Sequence, residues 1–232
     1  MADFARYLPL SARPPQDETG VSSHWGADIA AVLEAVSDLL AVQSPAALDT
    51  PSLHQGWSVR DVAGYLSWRL AVPTGELVRA TSLALVENGF SQRRVSESFA
   101  RRGADLPPDE LIAALRAIAA DKRADVGRTS IRELAIAVVG GLDISKPLGA
   151  VLSIRPAASG AVALRRALNG PTEIKAVIRD RSLTATDAEW SFGRGPAMSD
   201  TAEAILLFLY ERSDRAPGSG RSGDIGDSGA GD

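Results

Sequence analysis

A chain of 232 residues with 45% hydrophobic and 23% charged side chains is long and apolar enough to bury a substantial core. Its formal net charge of −4 argues against a phosphate-backbone binder, which needs a concentrated basic face, so no nucleic-acid partner is expected. The absence of cysteine excludes disulfides, thiolate nucleophiles and sulfur-ligated metals, and it fits a cytoplasmic protein.

Residues 1–22 lack a basic start followed by an apolar stretch, so they read as a flexible leader rather than a secretory signal. A first helix is predicted over residues 27–41, where Ile29, Val32, Leu33, Val36, Leu39 and Leu40 recur at helical spacing. Pro45, Asp49 and Pro51 mark residues 44–53 as a connecting loop. A second helix should start at Ser58, whose hydroxyl caps free backbone amides while Asp61, three residues on, completes a capping box. Trp57 stands just before that cap, and the helix should end near Pro73.

Further helices are predicted over residues 74–87, 91–102 and 108–121, the last opened by Pro107 and Pro108. Thr129 or Ser130 then caps a helix from residue 131 to about 139, which the pair Gly140–Gly141 should break. A helix at 157–168 follows, ended by Asn169, Gly170 and Pro171. Residues 173–179 and 183–192 alternate apolar with polar and are expected to pair as strands around Asp180, Arg181 and Ser182. A last helix at 201–210 is too apolar all round to be exposed and should lie buried against those strands. Residues 213–232 are Gly, Ser and Asp with little to bury, and are expected to be disordered. The fold class is mainly α with a small α/β part: a helical bundle over residues 23–155, then a two- or three-strand plus helix unit over 156–212.

Three segments carry a family resemblance. HQGWSVRDVAGYL at residues 54–66 resembles the pattern G-W-[ST]-V-R-D-V-x-x-H-L. ELAIAVVGGLDISKPLG at 133–149 resembles [DE]-x-x-x-H-x-x-D-I-x-x-P-L-G. TDAEWSFGRGP at 186–196 resembles T-D-x-x-W-x-x-G-x-G-P, and an apolar helix follows it. Each pattern alone is weak, but the three in this order resemble the mycothiol-dependent maleylpyruvate isomerase-like proteins of the DinB-like four-helix-bundle superfamily. The resemblance implies a divalent metal, usually zinc, held by one His of the second helix and by a carboxylate and a His four residues apart on a later helix. Residues at i and i+4 share a helix face, so two such ligands can meet a third, leaving a position open for a thiol or water.

This sequence departs from the pattern at all three positions. The first ligand position falls on Tyr65, the second His on Gly140 and the carboxylate on Ile136. Glycine and isoleucine offer no donor, and a neutral phenol that titrates near 10 is a poor zinc ligand. With only two histidines in the chain, His24 and His54, no metal or other cofactor is expected. The alternative is a divalent metal, with mycothiol as cofactor, on substitute ligands: Glu133, Asp143 and Tyr65 would make an oxygen-rich set better suited to magnesium, and His54 is a further candidate if it folds back from before the second helix. Against it, Glu133 complements a helix dipole and Asp143 holds the turn after Gly141.

Tyr65, Ile136, Gly140 and Trp57 are the candidate ligand-pocket residues, with Trp68 and Trp190 as packing anchors. Arg212 aligns with an Arg that closes the family's C-terminal motif and serves substrate binding there; with Glu211 before it, a helix-dipole or local ion-pair role is expected. Arg93, Arg94, Arg101 and Arg102 read as a solvated helix face, and no P-loop, dinucleotide fingerprint or nucleophile elbow is present. Three functions compete. The first is a non-catalytic binder of a small molecule or protein partner. The second is a metal- and mycothiol-dependent isomerase or thiol transferase. The third is an apolar-ligand carrier that uses a cavity near residues 205–209 of the C-terminal unit.

Overall fold

The computed structural model describes residues 24–71 and 92–219. The leader at 1–22, the helix predicted at 74–87 and residues 220–232 of the tail lie outside the described residues. Helix α1 (Gly26–Ala41) buries Ile29, Val32, Leu33, Val36 and Leu40, one stripe at helical spacing. The stretch expected as a loop contains a single helical turn, α2 (Pro45–Leu48), because Ser44 caps it and Pro45 stands at its first position. Residues 50–59 then fold back on themselves: Ser52 N donates to Trp57 O at 2.8 Å and Val59 N to Thr50 O at 2.9 Å, with Gly56 at φ 80°.

Helix α3 (Val59–Ala71) opens on the predicted capping box: Asp61 N donates to Ser58 Oγ at 3.1 Å, and Ser58 N donates to Asp61 Oδ2 at 2.8 Å. Helices α4 (Gln92–Ala104), α5 (Pro108–Arg123) and α6 (Ile131–Ser145) complete the described bundle. Helix α1 packs on α5 and α6, and α3 packs on α4, α5 and α6. Gly64 and Gly103 let α3 and α4 touch backbone to backbone, since a Cβ on Gly64 would lie 2.5 Å from Ala104 N.

The glycine pair in α6 does not break it. The helix continues to Ser145, and the pair serves packing instead. A Cβ on Gly140 would meet Leu66 Cδ2 at 2.7 Å, and one on Gly141 would meet Leu152 Cδ2 at 2.7 Å. Each glycine costs about 1 kcal/mol of helix propensity, which the close approach of these leucines offsets. Asp143 therefore sits inside the helix rather than holding a turn.

After α7 (Pro156–Asn169) the segment predicted as a strand at 173–179 is helix α8 (Thr172–Ile178). Ile174 and Ile178 are i and i+4, a pair that suits a helix as well as the alternation suits a strand, and Pro171 starts the turn. The strand pairing shifts accordingly. Residues 183–192 hold two strands, β1 (Ser182–Ala185) and β2 (Ser191–Gly193), paired antiparallel with Leu183 opposite Phe192. A third strand, β3 (Ala197–Asp200), runs parallel to β1 with Leu183 opposite Met198, giving the order β2-β1-β3.

Helix α9 (Ala202–Leu209), capped by Thr201, is buried as expected, but its chief partner is α7, with lesser contacts to α6 and β1. One apolar cluster runs from Ile29 through Leu66 and Val138 to Leu209, so the bundle and the C-terminal unit share a core. The tail expected to be disordered from residue 213 is docked through 219: Pro217 is buried and Gly218 N donates to Asp200 Oδ2 at 3.3 Å. The protein is thus mainly helical with a small three-stranded sheet. Among the described residues no helix is long and apolar enough to cross a membrane.

Candidate functional site

A cavity of about 350 Å³ opens between α3, α6 and the segment after α9. The loop before α3 supplies His54 and Trp57; α3 supplies Tyr65, Leu66 and Arg69. Helix α6 supplies Arg132, Ile136, Gly140 and Asp143, spaced four, four and three so that all stand on one face. Arg165 of α7, then Tyr210 and Arg212, close the far side. A second cleft of about 420 Å³ adjoins it, sharing His54, Trp57 and Arg212 and adding Glu97 and Glu211.

The fold of residues 50–59 stacks the His54 ring on Trp57, centroids 4.2 Å apart, and sets Trp57 edge-on to Tyr65 at 5.4 Å. Burial pushes the Tyr65 phenol above its ordinary value, and the charges of Arg69 and Arg132 pull part of the way back. Arg69 is only 5% exposed. Its nearest carboxylate oxygen is Glu133 Oε1 at 3.7 Å, and its Nη1 makes no hydrogen bond among the described residues. Glu133 is itself shared: Arg128 Nε lies 3.5 Å from the same oxygen, and the Ser130 hydroxyl donates to the other.

On the opposite wall Arg212 grips Asp143 with both arms of its guanidinium, Nε to Oδ1 at 2.7 Å and Nη2 to Oδ2 at 3.1 Å. This partner lies 69 residues away, so the local role expected for Arg212 is replaced by a tie between the C-terminal segment and α6. Glu211 makes the turn possible by adopting φ 58°, and Arg166 holds it by an ion pair at 2.7 Å while donating to Leu209 O at 2.8 Å. Burial raises the Asp143 carboxyl above its ordinary range, and Arg212, then His54, draw it down less strongly.

Residues 29–156 match the family model for the mycothiol maleylpyruvate isomerase N-terminal domain. The chain belongs to this family. Its fold is similar to that of a mycothiol-dependent maleylpyruvate isomerase in a crystal structure, with TM-score 0.50 and 13% identity over 82% of this chain and 90% of that one. A crystal structure of a mutant of a mycothiol-dependent maleylpyruvate isomerase gives 0.49 and 13% over 81% and 88%. At that identity the likeness is one of fold. No curated protein matches the chain.

In this member of the maleylpyruvate isomerase family, the cavity gathers the motif-derived positions Tyr65, Ile136 and Gly140, together with Trp57, His54, Asp143 and Arg212. Glu133 is not among the lining residues; ten residues from Asp143 on α6, it lies about 15 Å along the helix axis from it. Trp68 stacks on Phe99 at 3.6 Å, and Trp190 donates from Nε1 to Ser159 Oγ at 3.0 Å, both away from the cavity wall. Among the described residues no three His, Cys, Asp or Glu side chains are placed to hold a metal together.

Among the lining residues that escape a motif reading are Arg69, Arg132, Arg165 and Tyr210. The first two carried a signal, since Arg69 is one turn beyond Tyr65 and Arg132 one turn before Ile136 on the same faces. Arg165 and Tyr210 arrive only through the packing of α7 and α9 and carried none.

Proposed function

We propose that this chain is a metal-free, non-catalytic member of its family, acting in the cytoplasm, whose cavity binds a small molecule. One observation carries the reading: the three positions where the resemblance implies metal ligands all line one cavity, and they are Tyr65, Ile136 and Gly140. The surroundings support it. Leu66 crowds the space beside Gly140, so any side chain at 140 would require the leucine to shift. Raised by burial, the Tyr65 phenol stays neutral, the form least suited to bind a divalent ion. Asp143 is engaged on both oxygens by Arg212, and Glu133 by Arg128 and Ser130. The residues present do not fit the metal.

The substitute-ligand enzyme finds no support in this geometry, because Glu133 and Asp143 diverge along α6. The apolar-carrier reading finds little more, since Ile205 to Leu209 are packed into the common core and, among the described residues, line none of the three cavities of about 350, 420 and 410 Å³. Melting curves with added zinc, added magnesium and added chelator test the proposal. Three superimposable transitions are expected. A transition raised by zinc and lowered by chelator would overturn it, because a metal bound to the native state stabilises by mass action.

A further inference from the structure

A separate groove of about 410 Å³ opens between α7 and the β1–β2 hairpin and shares no lining residue with the two cavities above. Gly160, Ala161 and Leu164 line it from one face of α7. Trp190 and Phe192, stacked with ring centroids 5.6 Å apart, line it from the hairpin. Gly160 lets the indole lie against the helix, since a Cβ there would stand 3.0 Å from Trp190 Cγ. Glu189 is the one charged residue of the lining, and it is exposed. Leu164 is 42% exposed, and Leu168, one turn further along α7, is 64% exposed. A contiguous apolar strip with an aromatic wall marks a contact surface.

The start of the described chain lies beside this groove. Arg155 stands immediately before Pro156, the first groove residue, and donates from Nε and Nη2 to the two carboxylate oxygens of Asp28, each at 2.5 Å. Asp28 is in the first turn of α1, so residues 1–23, outside the described residues, join the fold within about 20 Å of Pro156. Residues 11–23 span up to about 45 Å when extended, which brings residues 4–10 within reach of the groove. Those residues read FARYLPL: Phe4, Tyr7, Leu8 and Leu10 are apolar, and Arg6 is the single charge. Pro9 fixes its own φ and disfavours helix at Leu8, so the stretch favours the extended, polyproline-like form that aromatic-lined grooves take. In that form seven residues cover about 22 Å, against about 18 Å of α7 from Pro156 to Leu168. A second copy of the chain suits the groove less well. A stable dimer takes about 20–30 residues a side, more than one helix face and one hairpin supply, whereas a tether sets an effective concentration on the order of 1 mM.

We infer that residues 4–10 of this chain dock in the groove between α7 and the β1–β2 hairpin, their apolar side chains against Leu164, Trp190 and Phe192 and Arg6 paired with Glu189. The segment runs antiparallel to α7, with Leu10 nearer Pro156 and Phe4 nearer Leu168. Leu164 lines the groove while its neighbour Arg165 lines the larger site, so the docked segment braces the helix that closes that site. None of this depends on whether the larger site holds a metal.

The chain has no cysteine, so a pair can be introduced into the full-length protein without interference. Asp3→Cys with Leu168→Cys places the two thiols just outside the contact and leaves residues 4–10 and the groove intact. Asp3→Cys with Val126→Cys is the control. Val126 is 54% exposed in the turn on which the start of α1 rests, where Trp25 N donates to Thr129 O at 2.9 Å, so an undocked segment reaches it as readily. Linkage in oxidised glutathione is followed by non-reducing electrophoresis, with the linked peptides identified by mass spectrometry. The Leu168 pair should link within one chain at least about tenfold faster than the control. Leu8→Asp should bring it down to the control rate. Arg6→Glu should slow it about threefold, and Glu189→Arg in that background should restore it. Equal rates for the two pairs, a rate unaffected by Leu8→Asp or Arg6→Glu, or links formed chiefly between chains would overturn the inference, the last in favour of a second copy in the groove.

Discussion

Replacing Gly140 by Ala adds one methyl at the point where α6 meets α3. The new Cβ would lie 2.7 Å from Leu66 Cδ2 and 3.1 Å from both Cδ1 and Cγ, closer than carbon atoms pack. Leu66 is fully buried, and the only open space it borders is the cavity it lines, so relieving the contact means turning its side chain toward that cavity. Two effects oppose each other. Removing a mid-helix glycine gains about 1 kcal/mol of propensity, and overpacking a buried contact costs about 1–3 kcal/mol. The net expectation is a loss of about 1 kcal/mol, a fall in Tm of about 2–4 °C for a chain of this size. Leu66→Ala alone should cost about 2–5 kcal/mol, but it opens the space that the methyl needs. In that background Gly140→Ala should stabilise by about 0.5–1 kcal/mol, giving a coupling of about 2 kcal/mol between the two sites. Urea denaturation of the four proteins of the cycle measures it. Additive effects, within about 0.5 kcal/mol, would refute the packing argument and reopen residue 140 to a bulky ligand side chain.

Alkaline titration of tyrosine absorbance should show a component above the ordinary value of 10.0 that disappears in Tyr65→Phe. A phenol whose native value is raised contributes stability that is present below 10.0 and lost as pH rises through the higher native value. A Tyr65 component at or below 10.0 would contradict the buried neutral phenol. Arg212→Ala should cost about 2–3 kcal/mol at neutral pH, the low end for breaking a buried pair because Arg212 is partly exposed. That cost should shrink as pH falls through the raised native value of Asp143 toward its ordinary 3.8, since the protonated carboxyl needs no cationic partner; a cost independent of pH would contradict it. Ser58→Ala should lose about 1 kcal/mol in chemical denaturation through the capping box at the start of the helix that carries Tyr65, and no loss would show the cap to be idle.

The start of α3 was legible because Ser58 and Asp61 state a cap in local terms, and four residues later the same helix delivers Tyr65. Residues 173–179 were misread because seven residues holding Ile174 and Ile178 satisfy both periods, and the choice falls to Pro171 and the neighbouring α7. Gly140 and Gly141 were read as a break because propensity is a local quantity, whereas Leu66 and Leu152, which need that space, come from elsewhere in the chain. The cavity shows the same division. Tyr65, Ile136 and Gly140 followed from motif spacing, and Arg69 and Arg132 stood one turn away for a reader of periodicity. The Asp143–Arg212 pair joins residues 69 apart and depends on the positive φ of Glu211, which no local pattern announces.

If the cavity of this maleylpyruvate isomerase family member works without a metal, the purified protein should carry none. Elemental mass spectrometry tests it most directly, on untagged protein expressed in zinc-supplemented medium and dialysed without chelator. Zinc, magnesium and other divalent ions are expected at far below one equivalent per chain. Close to one equivalent of any of them, lost together with thermal stability when Tyr65 or Asp143 is replaced, would contradict it.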